Sequence, residues 1–97
     1  MTSKKASAHA RHILVKDKEE CQKLIDRINN GEDFAVLAKE YSSCPSGKNG
    51  GDLGDFSQGM MVPEFDKVIF NGKIGLHFEP VKTQFGYHVI ETLSVNV

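Results

Sequence analysis

The 97-residue chain has no tryptophan, two cysteines, three prolines and no surplus of either charge. Lysine plus arginine number 12 and aspartate plus glutamate 13, for a formal charge of −1. That balance argues against a nucleic-acid binder, which needs a surplus of positive charge. Long hydrophobic runs are also missing: the longest is five residues, Phe34 to Ala38. A membrane span needs about 20 apolar residues, and a signal-peptide core about 7 to 15. The expectation is therefore a cytoplasmic protein that engages no membrane. Cys21 and Cys44 lie 23 positions apart. They form neither a disulfide scaffold nor a zinc-ligand pair. Gly47-Lys48 lacks the frame of a nucleotide P-loop. His9 and His12 are three apart on a predicted strand, so they face opposite sides and cannot chelate one metal. No metal and no other cofactor is expected.

What is present suits a small globule, with 39% hydrophobic and 26% charged residues. The length allows one domain. Residues 1–7 read as a flexible polar tail and 8–97 as the domain, with balanced charge suggesting a monomer. Residues 8–15 alternate and end in β-branched side chains, which predicts a strand. It carries Ala10, His12 and Leu14 on one face and His9, Arg11, Ile13 and Val15 on the other. Cys21, Leu24, Ile25 and Ile28 fall at helical spacing, and Asp17 with Glu20 has the order of a capping box. Cys21 reads as a small core residue on that stripe. Asn29-Asn30-Gly31 predicts the stop, and Phe34, Leu37, Ala38 and Tyr41 predict a second helix starting near Asp33.

From Ser42 to Gly59 the periodicity breaks, and five of the nine glycines lie there. Eighteen residues is long for a plain loop in a compact domain, so the segment should carry function or short structure of its own. Asp52 to Phe56 has strand character within it. Pro63 is placed to start a short helix with Phe65, Val68 and Ile69 on its apolar face, ended by Asn71-Gly72. Glu79 to Thr83 and Tyr87 to Val95 read as extended segments joined by a turn at Gln84-Phe85-Gly86. The last strand presents His88, Ile90 and Thr92 on one face. This order gives an α+β fold with a small, mostly antiparallel sheet.

Three residues remain as candidates for chemistry: His12 in the first strand, His88 in the last, and Cys44 opening the glycine-rich loop. Taken singly, each histidine reads as a satisfied core residue, and Cys44 as an inert thiol. Two histidines in predicted core strands favour a polar site, because buried imidazoles need partners. Leu53, Met60, Met61 and Phe65 collect near the loop and read as plain core or as a pocket.

The segments His12-Ile13-Leu14-Val15-Lys16, Gly51-Asp52-Leu53-Gly54, Gly59 to Phe65 and Thr83 to Ile90 resemble parvulin-type peptidyl-prolyl cis-trans isomerases. The resemblance runs from about residue 8 to 95 and is closest in length to the small free-standing bacterial members. It implies a βαααβαββ fold, a four-stranded antiparallel sheet surrounded by about four helices. It also implies rotation of Xaa-Pro bonds in unfolded or nascent polypeptides, assisting their folding. The family's paired histidines match His12 and His88. Its active-site thiol, replaced by Asp in some members, matches Cys44. Thr83 matches the support of the histidines, Leu53, Met61 and Phe65 match the proline pocket, and Phe85 matches a position beside the family's catalytic groove. The phosphate-selective branch carries an arginine loop after its first strand. Here Val15 is followed by Lys16-Asp17-Lys18-Glu19-Glu20, so no phosphate dependence is expected. Asn71 to Phe78 departs from the family pattern, and His77 is expected at the surface. Two other readings stand beside this one. One is a small cysteine hydrolase with Cys44 as nucleophile and a histidine as base. The other is a non-catalytic proline-peptide-binding or chaperone module on the same fold.

Overall fold

The computed structural model describes residues 6–71 and 73–96. Strand β1, Ser7–Val15, is followed by helices α1, Lys18–Asn29, and α2, Phe34–Tyr41. A 3-10 helix, Pro45–Asn49, leads into β2, Asp52–Ser57, and then α3, Pro63–Ile69. Strands β3, Gly75–Leu76, β4, Val81–Thr83, and β5, Gly86–Asn96, complete the chain. The 3-10 helix and β2 are the short structure inside the glycine-rich stretch. Ser7 is already in β1, and the Ala6 carbonyl accepts from the Gln58 N–H at 2.8 Å, so the tail is shorter than expected at its inner end. Its first five residues lie outside the described ones, as does Gly72.

The sheet is antiparallel throughout, in the order β2-β1-β5-β3, with β4 also paired to β5. It has five strands, where four were expected. β1 occupies one edge of β5 from Tyr87 to Asn96. β3, opposite Glu91 and Thr92, and β4, opposite Gly86 to His88, must therefore lie in line along the other edge. They are two pieces of one outer rank, interrupted where Phe78, Glu79 and Pro80 bulge out. A two-residue strand is too short to show any periodicity, so Gly75–Leu76 was not predicted. The His77 N–H extends the ladder by donating to the Ile90 carbonyl at 2.9 Å. His77 is half-buried, not at the surface as expected. Its Nε2 lies 3.0 Å from the Oγ1 of Thr92, which is fully buried and needs a partner.

Each face of the sheet has its own core. α1 and α2 lay Cys21, Leu24, Ile25, Phe34, Leu37 and Ala38 against Ile13, Val15 and Val89. α3 lays Phe65 and Ile69 on the opposite face, over Ala8, Ala10, Phe56 and Ile90. The Asp33 carboxylate caps α2 by accepting from the Val36 N–H at 3.1 Å. Asp17 precedes α1 without a side-chain cap, so the expected capping box does not form. α1 holds through its apolar stripe instead, as most short helices do.

Candidate active site

His12 and His88 lie on neighbouring strands as diagonal partners, because His12 faces Ile90 and His88 faces Leu14. Diagonal cross-strand side chains on one face are within reach of each other. Here the two imidazoles lie with ring planes 15° apart and Nδ1 atoms 3.0 Å apart. Both residues are at least 96% buried. The chain extends at both ends: His12 Nε2 is 3.1 Å from Ser46 Oγ, and His88 Nε2 is 2.7 Å from Thr83 Oγ1. Thr83 Oγ1 also accepts from the Phe85 N–H at 3.1 Å.

Proton counting along this chain selects the tautomers. One of the facing Nδ1 atoms must be bare, so the pair cannot be doubly charged. In one arrangement the Thr83 hydroxyl donates to His88 Nε2, His88 Nδ1–H donates to His12 Nδ1, and His12 Nε2–H donates to Ser46. Both imidazoles and the Thr83 hydroxyl then have every polar atom paired. In the reverse arrangement the buried Thr83 hydroxyl hydrogen has no acceptor among the described residues. The first arrangement is the satisfied one. Burial lowers the pKa of His12 to about 4, and burial with the neighbouring His12 lowers that of His88 to about 4. Both rings are neutral at pH 7.

Two glycines hold this chain in place. Gly51, at φ +84°, accepts the His12 N–H on its carbonyl at 2.9 Å. A Cβ at that position would lie 2.3 Å from the His12 carbonyl oxygen. Gly86, at φ +142°, begins β5 so close to β1 that its Cβ would lie 2.6 Å from the Val15 carbonyl oxygen.

An apolar wall adjoins the imidazoles. The Phe65 ring stands edge-on to both, with centroids 5.5 Å from His12 and 4.6 Å from His88. Leu53 and Met61 are half-buried in the same cluster as Phe65. The position of Leu53 is set by its neighbour Asp52, whose Oδ1 accepts from Gly54 N–H at 2.7 Å and lies 2.6 Å from His9 Nε2. Those two bonds also hold the Asp52 carboxyl below its ordinary pKa. The loop carrying Met61 is fastened to α3 by Asp66, which accepts from the Gly59 N–H at 2.9 Å. Phe85 projects into solvent, 61% exposed, with its backbone tied to Thr83.

The structure thus brings His12, His88, Thr83, Phe65, Leu53 and Met61 onto one face of the sheet. Cys44 is half-buried, the residue before the 3-10 helix and two before Ser46; its N–H donates to Ser42 Oγ at 3.3 Å. Ser46, not Cys44, is the side chain hydrogen-bonded to His12. The sequence reading missed Ser46. Its signal was Pro45, which starts a helix of about three residues per turn and so turns Ser46 back toward β1.

The PPIC-type PPIase domain model matches residues 1–95. The foldase protein PrsA of Caldanaerobacter subterraneus is 52% identical over 89 residues, covering 91% of this chain and 29% of its own length. This chain therefore spans under a third of that curated relative. The crystal structure of the peptidylprolyl isomerase PrsA from Bacillus anthracis superposes with a TM-score of 0.89 at 37% identity, over 96% of this chain and 43% of that one. The solution structure of NmPin, the parvulin of Nitrosopumilus maritimus, gives 0.80 at 36% identity, over 96% of this chain and all of its own. The chain belongs to the PPIC-type peptidyl-prolyl isomerase, or parvulin, domain family.

Proposed function

We propose that this chain accelerates rotation about Xaa-Pro bonds in unfolded or nascent polypeptides, without dependence on phosphate, and so assists their folding. The observation that carries this reading is the single wall made by Phe65, which bridges both imidazoles and shares a cluster with Leu53 and Met61.

The barrier to rotation is about 18–20 kcal/mol because amide resonance must be broken. An acceleration of five decades requires roughly 7 kcal/mol of differential stabilisation. Leu53, Met61 and Phe65 hold the proline ring; burying its three methylenes contributes about 2.4 kcal/mol. Both isomers gain that equally, so it is binding and not rate enhancement. The differential part comes from polarity. The planar amide carries negative charge on oxygen, and the twisted one loses it. Neutral, buried imidazoles beside an apolar wall favour the less polar twisted form. Cys44, two residues before the His12 partner Ser46, disfavours the planar, oxygen-negative form, while His12, His88 and Thr83 fix the shape of the site. The connection from β1 to α1 is only Lys16-Asp17, which supports the absence of an arginine loop for phosphate.

The hydrolase reading lacks support in the geometry. A histidine base needs a bare nitrogen facing its nucleophile. Here His12 Nε2 carries its proton toward Ser46, and its lowered pKa makes it a poor acceptor at pH 7.

Cys44→Asp and Cys44→Ala separate the possible roles of the thiol. The electrostatic role predicts that Asp retains a substantial share of kcat/KM, whereas covalent attack predicts loss in both. Met61→Ala and Phe65→Ala should each lower kcat/KM about tenfold or more. Unchanged values would remove the pocket assignment, and binding of proline peptides without faster exchange would select the non-catalytic module. A phosphorylated peptide should be no better a substrate than its unmodified form.

A further inference from the structure

A cavity of about 740 Å³ opens between α3 and the interrupted outer rank of the sheet. That volume is within the range of ligand-binding clefts. Ile74 and Phe78 stand at it 59% and 63% exposed, and Val68 and Val81 line it from α3 and β4. Its charges nearly balance, with Lys67, Lys73 and Lys82 against Glu64 and Glu79.

We propose that this groove holds the apolar stretch of an unfolded client that flanks the proline in the active site. The inference rests on the reading of that site as a prolyl isomerase. Continuity identifies the occupant. α3 contributes Phe65 to the site and Val68 to the groove; β4 contributes Thr83 to the site and Val81 to the groove. Thr83 and Val81 are two strand residues apart, roughly 7 Å. A chain leaving the proline site across this boundary reaches the groove within a few residues, whereas a very short peptide does not. The near-balance of charge leaves apolar side chains as the feature recognised. Strand addition is disfavoured, because Phe78 to Pro80 bulge from the ladder and Pro80 has no N–H to offer. Ile74 and Phe78 therefore hold the client through side-chain contact.

The test compares two peptides with the same Leu-Pro core: one of four residues, and one of twelve with leucine and phenylalanine on both flanks. The expected result is a KM about tenfold lower for the long peptide. In the double variant Ile74→Ser, Phe78→Ala, that advantage should vanish while kcat/KM for the short peptide stays unchanged. Retention of the advantage by the double variant, or its absence in the unaltered protein, would overturn the proposal. Amide shift changes at Ile74 and Phe78 test the groove without turnover. They should appear with the long peptide and not with the short one, and their absence also overturns it. If they appear although neither peptide isomerises faster, the groove stands and the isomerase reading falls.

Discussion

Removing the Thr83 hydroxyl breaks the proton chain at its source. Thr83→Val keeps the shape but leaves His88 Nε2 and the Phe85 N–H without their partner. The expected loss is about 1–3 kcal/mol in stability and about tenfold in kcat/KM. Thr83→Ser should recover most of both; equal damage by Val and Ser in urea titrations and peptide assays would contradict the assigned tautomers. At this scale the sequence was informative where a side chain has a clear preference. Cys21 reads as core, and it is fully buried, its thiol pushed up to about 12 by burial and by Glu20. Ser46 gave less, because a serine in a polar loop resembles any other until the 3-10 helix aims it at His12.

The elements follow from periodicity wherever they are long enough to have one. α1, α2, β1 and β5 were legible in their apolar stripes and alternation, and α3 in its leading proline. β3 and the bulge at Phe78 to Pro80 were not, because two paired residues carry no pattern and the pairing is set by β5. The tight contact between the glycine-rich segment and β1 was visible only as composition. It yields a sharp comparison. Gly51→Ala places a Cβ 2.3 Å from the His12 carbonyl at φ +84°, whereas Gly54→Ala meets nothing within 4 Å at φ +70°. Gly54→Ala should cost only the left-handed backbone strain, about 1–2 kcal/mol. Gly51→Ala should cost clearly more and depress activity by shifting His12. Equal losses in chemical unfolding would mean that the contact between Gly51 and His12 is looser than described.

At the scale of the whole molecule, the two buried imidazoles tie stability to pH. The unfolded chain takes up protons near the ordinary histidine value of 6.5, and the folded chain resists until about 4. The unfolded state thus binds more protons in that window, so stability is full above about pH 6.5 and is lost as pH falls toward 4. One imidazole shifted that far corresponds to about 3 kcal/mol. His77, lowered by burial and then by Lys73, acts in the same direction. The lowered Asp52 carboxyl acts at still lower pH. Urea unfolding at pH 7.5, 5.5 and 4.5 should show a steady fall, and replacing His12 and His88 with asparagine should flatten it. A stability independent of pH between 7.5 and 4.5 would contradict the burial of neutral rings. The arrangement itself, a sheet that brings residues 12, 46, 83 and 88 together, was legible only as two histidines placed in the first and last predicted strands. The central claim is that this convergence turns prolyl bonds. It is tested most directly by NMR exchange between the cis and trans signals of a short Leu-Pro peptide with a catalytic amount of folded protein. Cross-peaks at subsecond mixing times are predicted, against uncatalysed exchange over tens to hundreds of seconds. Their absence, with the protein demonstrably folded, would contradict it.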